Sequence, residues 1–273
     1  MTNLAETAKA LVAEGKGILA ADESNNTAGK RLASIGMENS ETNRRDYRET
    51  LFTAKGFGDN ISGVILYDET FRQAASNGRL LRDILVEAGA MPGIKVDEGL
   101  VDLDGGIAGE KVTQGLESLP SRLPEYAEMG AKFAKWRALI NIDETKGMPS
   151  EIAINENASR LAKYAKECQK SGLVPIVEPE IQMDAAGANF SLETCKQVTD
   201  RVLTAVYQAL NAENVDLAGT LLKPNMVVPG KECSDKASIE QVAQATIDVL
   251  KANVPAEVAG IVFLSGGQGD VEA

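Results

Sequence analysis

Short apolar runs rich in valine and isoleucine recur along this chain at intervals of about 40 residues, with one shorter step. That rhythm limits the folds open to it. The runs cover 17–22, 61–67, 93–97, 134–142, 174–180, 217–223 and 260–265. Each is nearly continuous rather than alternating, the pattern of a strand buried on both faces. Helical periodicity fills the gaps. Ser150 reads as the cap of a helix carrying Ile154, Ala158, Leu161, Ala165 and Cys168 on one stripe, ended by Gly172. Ser191 caps the next, with Leu192, Cys195, Val198, Val202, Val206 and Leu210 on one face. Ser238 and Gln241 match a capping box ahead of Val242, Ile247 and Leu250. Strand, helix, strand in this order predicts a parallel sheet with right-handed crossovers. No Pro/Ser-rich linker interrupts the chain, so one domain is expected over 1–273.

Two architectures compete, a doubly wound sheet and a β/α barrel. Neither the GxGxxG turn of a dinucleotide site nor the GxxxxGK of a nucleotide loop is present. Charged and polar residues stand instead at the ends of almost every strand. Asp22 and Glu23 follow the first, Lys95 and Asp97 end the third, and Lys135 with Arg137 lies in the fourth. Glu178 and Glu180 close the fifth, Lys223 the sixth and Ser265 the seventh. Chemistry gathered from many strand ends is the barrel arrangement. An eight-stranded TIM (β/α)8 barrel needs one more strand and helix after Ser265. The sequence offers only Gly266 to Ala273 there, so the barrel is expected to be truncated after its seventh strand.

Composition narrows the chemistry. Lys and Arg total 28 against 40 Asp and Glu, a formal net charge of −12 with no basic run, which argues against a nucleic-acid partner. No apolar segment reaches membrane-spanning length, and the first 15 residues lack the pattern of a secretory signal. The three cysteines, Cys168, Cys195 and Cys233, form no CxxC pair and fit a reducing, cytoplasmic setting. There is no histidine, which removes a histidine base, a Ser-His-Asp triad and histidine metal ligation. Neither metal nor cofactor is expected.

Four features carry candidate chemistry. Lys135 and Arg137 flank Trp136 and share one strand face; inside a sheet they call for an anionic ligand or carboxylates, while on an edge strand they would be merely solvated. Glu178 and Glu180 also share a face, where two close carboxylates raise one pKa; the alternative is a solvated strand end. Lys223 lies at the mouth of an apolar strand, where desolvation and neighbouring cations free an amine to attack a carbonyl; otherwise it snorkels to solvent. Gly266 and Gly267 follow Ser265 and can expose amides to a phosphate, or form only a tight loop. Together these residues suit an anionic carbonyl compound. Asp22 approaches Lys223 only if the sheet curls toward closure.

The runs Leu19-Ala20-Ala21-Asp22-Glu23-Ser24, Gly93-Ile94-Lys95-Val96-Asp97, Lys135-Trp136-Arg137, Val177-Glu178-Pro179-Glu180, Leu221-Leu222-Lys223-Pro224-Asn225-Met226 and Leu264-Ser265-Gly266-Gly267-Gln268 closely resemble the motifs of class I fructose-bisphosphate aldolases, in the same order. The resemblance implies reversible cleavage of fructose 1,6-bisphosphate to two triose phosphates, with a phosphorylated sugar as partner and homo-oligomer formation left open. It implies that Lys223 forms a Schiff base at the ketose C2, that Glu178 serves dehydration and proton transfer, and that Asp22 handles the C4 hydroxyl. Lys135 would stabilise the carbinolamine, with Glu180 supporting it and Lys223. Ser24, Thr27, Lys95 and Arg137 would contact substrate and phosphate, and Ser265 with Gly266 would form half of the other phosphate site. The family's eighth-strand Gly-Arg pair and C-terminal tail have no counterpart here, and Gly269 stands where serine is usual. An aldolase for another phosphorylated ketose, or a non-catalytic binding homologue, would share these motifs.

Overall fold

The computed structural model describes residues 3–264 and residue 268. One sheet contains seven parallel strands in chain order: β1 Gly17–Ala21, β2 Ile61–Leu66, β3 Met91–Lys95, β6 Phe133–Ile140, β7 Val174–Ile181, β8 Leu221–Leu222 and β9 Gly260–Ile261. The numbering passes over an antiparallel hairpin inserted after β3, made of β4 Leu100–Asp102 and β5 Lys111–Thr113. Each main strand pairs with the next along the chain, without the reversal that defines a doubly wound sheet. Among the described residues β1 and β9 are the two edges. The architecture is an α/β half-barrel of the (β/α)8 type.

The strand pleat divides each strand between two environments. Phe133, Lys135 and Arg137 of β6 pair in register with Val174, Ile176 and Glu178 of β7. Successive side chains point to opposite faces. The intervening residues Ala134, Trp136, Ala138, Val177 and Ile181 pack outward into the large core beneath the helices. The inward set is layered. Near the amino ends, Ile65, Phe133, Val174, Ile176 and Leu221 form a second apolar cluster with Ala8 and Leu11. Those last two belong to helix α1, Leu4–Leu11, which closes that end of the half-barrel. Glycine makes room for the Phe133 ring there: a Cβ at Gly93 would lie 2.3 Å from it. Near the carboxyl ends the inward positions turn charged.

The helices follow their caps. Ser150 Oγ accepts from the Ala153 amide at the start of α8, Glu151–Lys170, and Ser191 Oγ accepts from Thr194 at the start of α9, Leu192–Ala212. Ile154, Ala158, Leu161, Ala165 and Cys168 are buried along α8, and Gly172, at φ +74°, takes the left-handed conformation that ends it. Ser238 and Gln241 form the expected capping box for α10, Ile239–Asn253. Ile247 is exposed, however, and Ala245, Thr246 and Val249 line the buried stripe. Counted from Val242, the inner face recurs at the third, fourth and seventh residues, and Ile247 falls between.

Two strand expectations shorten. Residues 217–219 form a 3-10 turn, because Asp216 Oδ1 accepts from the Ala218 amide, and only Leu221–Leu222 joins the sheet. The last strand pairs at Gly260–Ile261, with one further bridge among the described residues, between Leu264 and Asn225. Among the described residues no helix is long and apolar enough to cross a membrane.

Buried Glu110, just before β5, ties the inserted hairpin to the barrel. It accepts from the Ser150 amide at 2.6 Å, the Ser150 hydroxyl at 2.7 Å and the Ile107 amide at 2.8 Å. Replacing Glu110 with alanine strands three donors. A hydrogen bond to a charged group is worth about 1.5–3 kcal/mol in net terms, and with water reaching some of the freed donors a loss of at least about 2–3 kcal/mol is expected. Urea unfolding measures it, and an unchanged midpoint would show that this tie is not a stabilising one.

Candidate active site

The carboxyl ends of the strands deliver their charged residues to one cavity of about 500 Å³. Asp22 follows β1 directly, and the chain then turns into α2, Asn25–Ser34, capped by Ser24, whose Oγ accepts from the Thr27 amide. Lys95 ends β3; Lys135 and Arg137 are inward on β6, and Glu178 and Glu180 inward on β7. Lys223 follows β8 directly. All nine of these sequence-derived residues line the cavity, with Glu23, Asp97, Gly99, Leu100 and Leu264. Ser265 and Gly266 lie outside the described residues.

Curling of the sheet is what brings them together. Strands lie about 4.8 Å apart, so β1 and β8, five steps apart in a flat sheet, would be separated by roughly 24 Å. Here Asp22 and Lys223 share a cavity, and the Lys223 charge acts on the Asp22 carboxyl.

The charges form an ordered chain across the cavity floor. Lys135 Nζ lies 2.7 Å from Asp22 Oδ2, 3.3 Å from Glu178 Oε2 and 4.0 Å from Asp97 Oδ2. Lys223 Nζ donates to the other Glu178 oxygen, Oε1. Glu178 therefore stands between two ammonium groups, and Lys135 among three carboxylates. The Lys135 side chain is only 6% exposed and that of Glu178 3%. Lys135 is central in the sheet rather than a solvated edge cation, and its pairing offsets a desolvation cost of several kcal/mol per ion. Burial works against the Lys135 charge, but Glu178, Asp22 and Asp97 outweigh it and hold the ammonium above the usual lysine range. Burial likewise raises the Asp22 carboxyl; Lys135, by charge and hydrogen bond, and then Lys223 and Lys95 outweigh it and hold that carboxyl below the usual aspartate range.

The rest of the rim is paired separately. Glu180 forms a two-point ion pair with Arg137, with Nη2 to Oε1 at 2.6 Å. It is this arginine, and neither Lys135 nor Lys223, that Glu180 contacts, so the two glutamates of the strand end face different cations. Lys95 Nζ donates to Asp97 Oδ1 at 2.5 Å and to the Asp97 carbonyl at 3.0 Å. Asp97 is the member that the strand-end reading noticed without assigning a role. Its signal is the alternation Lys95-Val96-Asp97, continued here one step past the strand.

A charged site at the carboxyl ends of parallel barrel strands is where β/α-barrel enzymes carry out catalysis, and a partly desolvated lysine beside a carboxylate can act there as a nucleophile toward a carbonyl. Comparison with known proteins is specific. The profile of the family described as "Fructose-bisphosphate aldolase class-I" matches residues 3–273. A fructose-bisphosphate aldolase of Dictyostelium discoideum is 52% identical over 271 residues, covering 99% of this chain and 75% of that protein. The protein named fructose-bisphosphate aldolase 5, cytosolic, of Arabidopsis thaliana is 53% identical over 270 residues, covering 99% and 74%. The crystal structure of fructose-bisphosphate aldolase from Plasmodium falciparum, in complex with TRAP and an inhibitor, superposes with a TM-score of 0.95 at 48% identity, covering 98% of this chain and 76% of that one. The chain belongs to the class I fructose-bisphosphate aldolase family.

Proposed function

We propose that this protein cleaves fructose 1,6-bisphosphate reversibly to dihydroxyacetone phosphate and glyceraldehyde 3-phosphate, through an imine on Lys223. The carrying observation is the unbroken series Asp22, Lys135, Glu178, Lys223 inside one cavity. Glu178 is placed to take a proton from the Lys223 ammonium, leaving an amine that attacks the ketose C2. One proton of the added nitrogen passes to the former carbonyl oxygen to give the carbinolamine, and the same carboxyl, now protonated, then gives its proton to that C2 hydroxyl, which departs as water and leaves the iminium. Asp22 stands at the far end of the series. Its carboxylate, kept charged by Lys135, removes the proton from the C4 hydroxyl as the C3–C4 bond breaks, and the bond's electrons pass into the iminium to give an enamine. Protonation of the enamine at C3 and hydrolysis of the imine release the second triose phosphate. Lys135 itself supplies charge that falls on the carbinolamine oxygen.

The rim fits an anion at each end of the sugar. Ser24 and Thr27 at the start of α2, with Lys95, present hydroxyl, amide and ammonium donors to one phosphate. Arg137 lies between that group and the Lys223 side, and Ser265 with Gly266 is assigned to the second phosphate. A cytoplasmic location fits the cytosolic naming of the Arabidopsis relatives.

Borohydride reduction in the presence of dihydroxyacetone phosphate tests the reading. The added mass is expected on the peptide containing Lys223, and pre-treatment with EDTA is expected to leave the yield unchanged, because the chain has no histidine and no paired cysteines to hold a catalytic metal. Labelling of a different lysine would refute the assignment. A panel of phosphorylated ketoses then decides between the bisphosphate and a monophosphate.

A further inference from the structure

Helix α3, Glu41–Phe52, buries Arg44, Arg48 and Phe52 on the stripe where a helix normally presents apolar side chains. Arg44 has a full carboxylate partner, with Nε and Nη2 donating to the two oxygens of Glu69 at 2.8 and 2.6 Å. Arg48 does not. It is completely buried, and its closest carboxylate oxygen, Glu23 Oε2, is 3.6 Å away. Its donors go to backbone instead: Nη2 to the Glu23 carbonyl at 2.7 Å, and Nε to the Ala21 carbonyl at 3.3 Å. Those carbonyls belong to the residues on either side of Asp22.

Burying a guanidinium against two peptide carbonyls is a poor route to stability, since burial opposes its charge and an apolar side chain of similar volume fills such a space without that cost. What the arrangement does supply is geometry. Asp22 directly follows Ala21, the last residue of β1, and the next helix begins three residues later. In between, the planar fork of Arg48 fixes both flanking carbonyls from a neighbouring helix, and so fixes the peptide frame from which the Asp22 side chain projects toward Lys135. The Glu23 side chain, itself buried, pairs with Arg31 of α2 rather than with Lys135. The two acidic neighbours thus diverge, one toward the catalytic chain and one toward α2.

We propose that Arg48 is a positioning residue for Asp22, acting through the carbonyls of Ala21 and Glu23, and that it serves the carbon–carbon bond step rather than imine formation. The proposal rests on the reading of Asp22 as the group that takes the C4 hydroxyl proton. Dihydroxyacetone phosphate has no C4, so its imine with Lys223 forms without that step. This separates the two halves of the reaction.

The experiment compares borohydride trapping of dihydroxyacetone phosphate with the cleavage rate of fructose 1,6-bisphosphate in the wild type, Arg48→Met, Arg48→Lys and Asp22→Asn. A misplacement of about 1 Å at a reacting group can lower a rate on the order of 100-fold. Arg48→Met is accordingly expected to lose about that factor in kcat, with KM and trapping little changed. Arg48→Lys keeps the charge but not the fork and is expected to show the same split, which decides the matter should the methionine variant fail to fold. Partial return of cleavage on adding guanidinium to Arg48→Gly would support the proposal further. Parallel loss of trapping and cleavage in both the Met and Lys variants would reduce Arg48 to a structural residue and overturn it, as would full cleavage activity. Failure of the underlying reading looks different: the wild type would not cleave, or Asp22→Asn would cleave normally, whatever Arg48 does.

Discussion

Replacing Lys223 with alanine is expected to abolish imine trapping and to reduce cleavage on the order of 10⁵–10⁶-fold, the scale on which removal of a covalent nucleophile acts. The fold is expected to survive, because Glu178 keeps Lys135 at 3.3 Å when Lys223 is gone. The companion change, Lys223→Arg, sharpens the test. Arginine preserves a cation beside the nearly inaccessible Glu178 carboxylate but carries no nitrogen that deprotonates in a protein. If Lys223 served only as a counter-ion, the arginine variant would keep most of its activity. If it is the nucleophile, arginine is as inactive as alanine while unfolding close to the wild-type urea midpoint. Cleavage rates and trapped-peptide mass for the two variants decide between these outcomes, and retention of more than a few per cent of activity in Lys223→Arg would remove the imine from the mechanism.

The sequence carried most of this site because barrel chemistry is written at strand ends. An inward strand position near the carboxyl end cannot be apolar if it is to act on a sugar phosphate, so Lys135, Arg137, Glu178 and Glu180 stand out against the valines and isoleucines beside them. The pleat then puts each pair on one face. Helix starts were equally legible, since Ser150, Ser191 and Ser238 each satisfy amides that the first helical turn leaves free. Pairing between strand-end charges was not legible. Glu180 shares a face with Glu178, and nothing in the spacing says that one turns to Arg137 and the other to two lysines. The β4–β5 hairpin escaped because its strands have three residues each and sit in a glycine-rich stretch, too short for a period to register. Helix α3 offers no apolar stripe for periodicity to register, because two arginines occupy its inner positions, and only the fold shows Arg44 pairing with Glu69 and Arg48 reaching the first strand end. The strand expected at 217–223 shortened for a local reason, an aspartate side chain that offers the backbone a turn in place of the ladder.

Removing the cation at the centre of the site is expected to have the second largest effect, and its pH dependence identifies the cause. Lys135→Met leaves Asp22 and Glu178 buried with one partner fewer each. Breaking a buried ion pair from one side costs about 3–5 kcal/mol, a large share of the roughly 5–15 kcal/mol that stabilises a domain. In the wild type the Asp22 carboxyl is depressed in the folded state, so its contribution is complete above the ordinary aspartate pKa of about 4 and is lost only as pH falls through the lowered value. Between pH 7 and pH 5 this group therefore leaves wild-type stability flat. In the variant the balance reverses. Burial, the largest influence on Asp22, acts to raise its pKa, and of the influences that opposed it the Lys135 charge and hydrogen bond are gone, leaving only the weaker Lys223 and Lys95 charges. A carboxyl whose folded pKa lies above its unfolded value binds a proton more readily when folded, and the penalty falls as pH drops. The stability deficit of Lys135→Met relative to wild type is thus expected to be greatest near pH 7–8 and to shrink measurably by pH 5. Urea midpoints at three pH values suffice to see it. A deficit that stays constant from pH 8 to pH 5 would mean that Asp22 keeps its charge without Lys135, and that this lysine contributes packing rather than the electrostatic centre of the site.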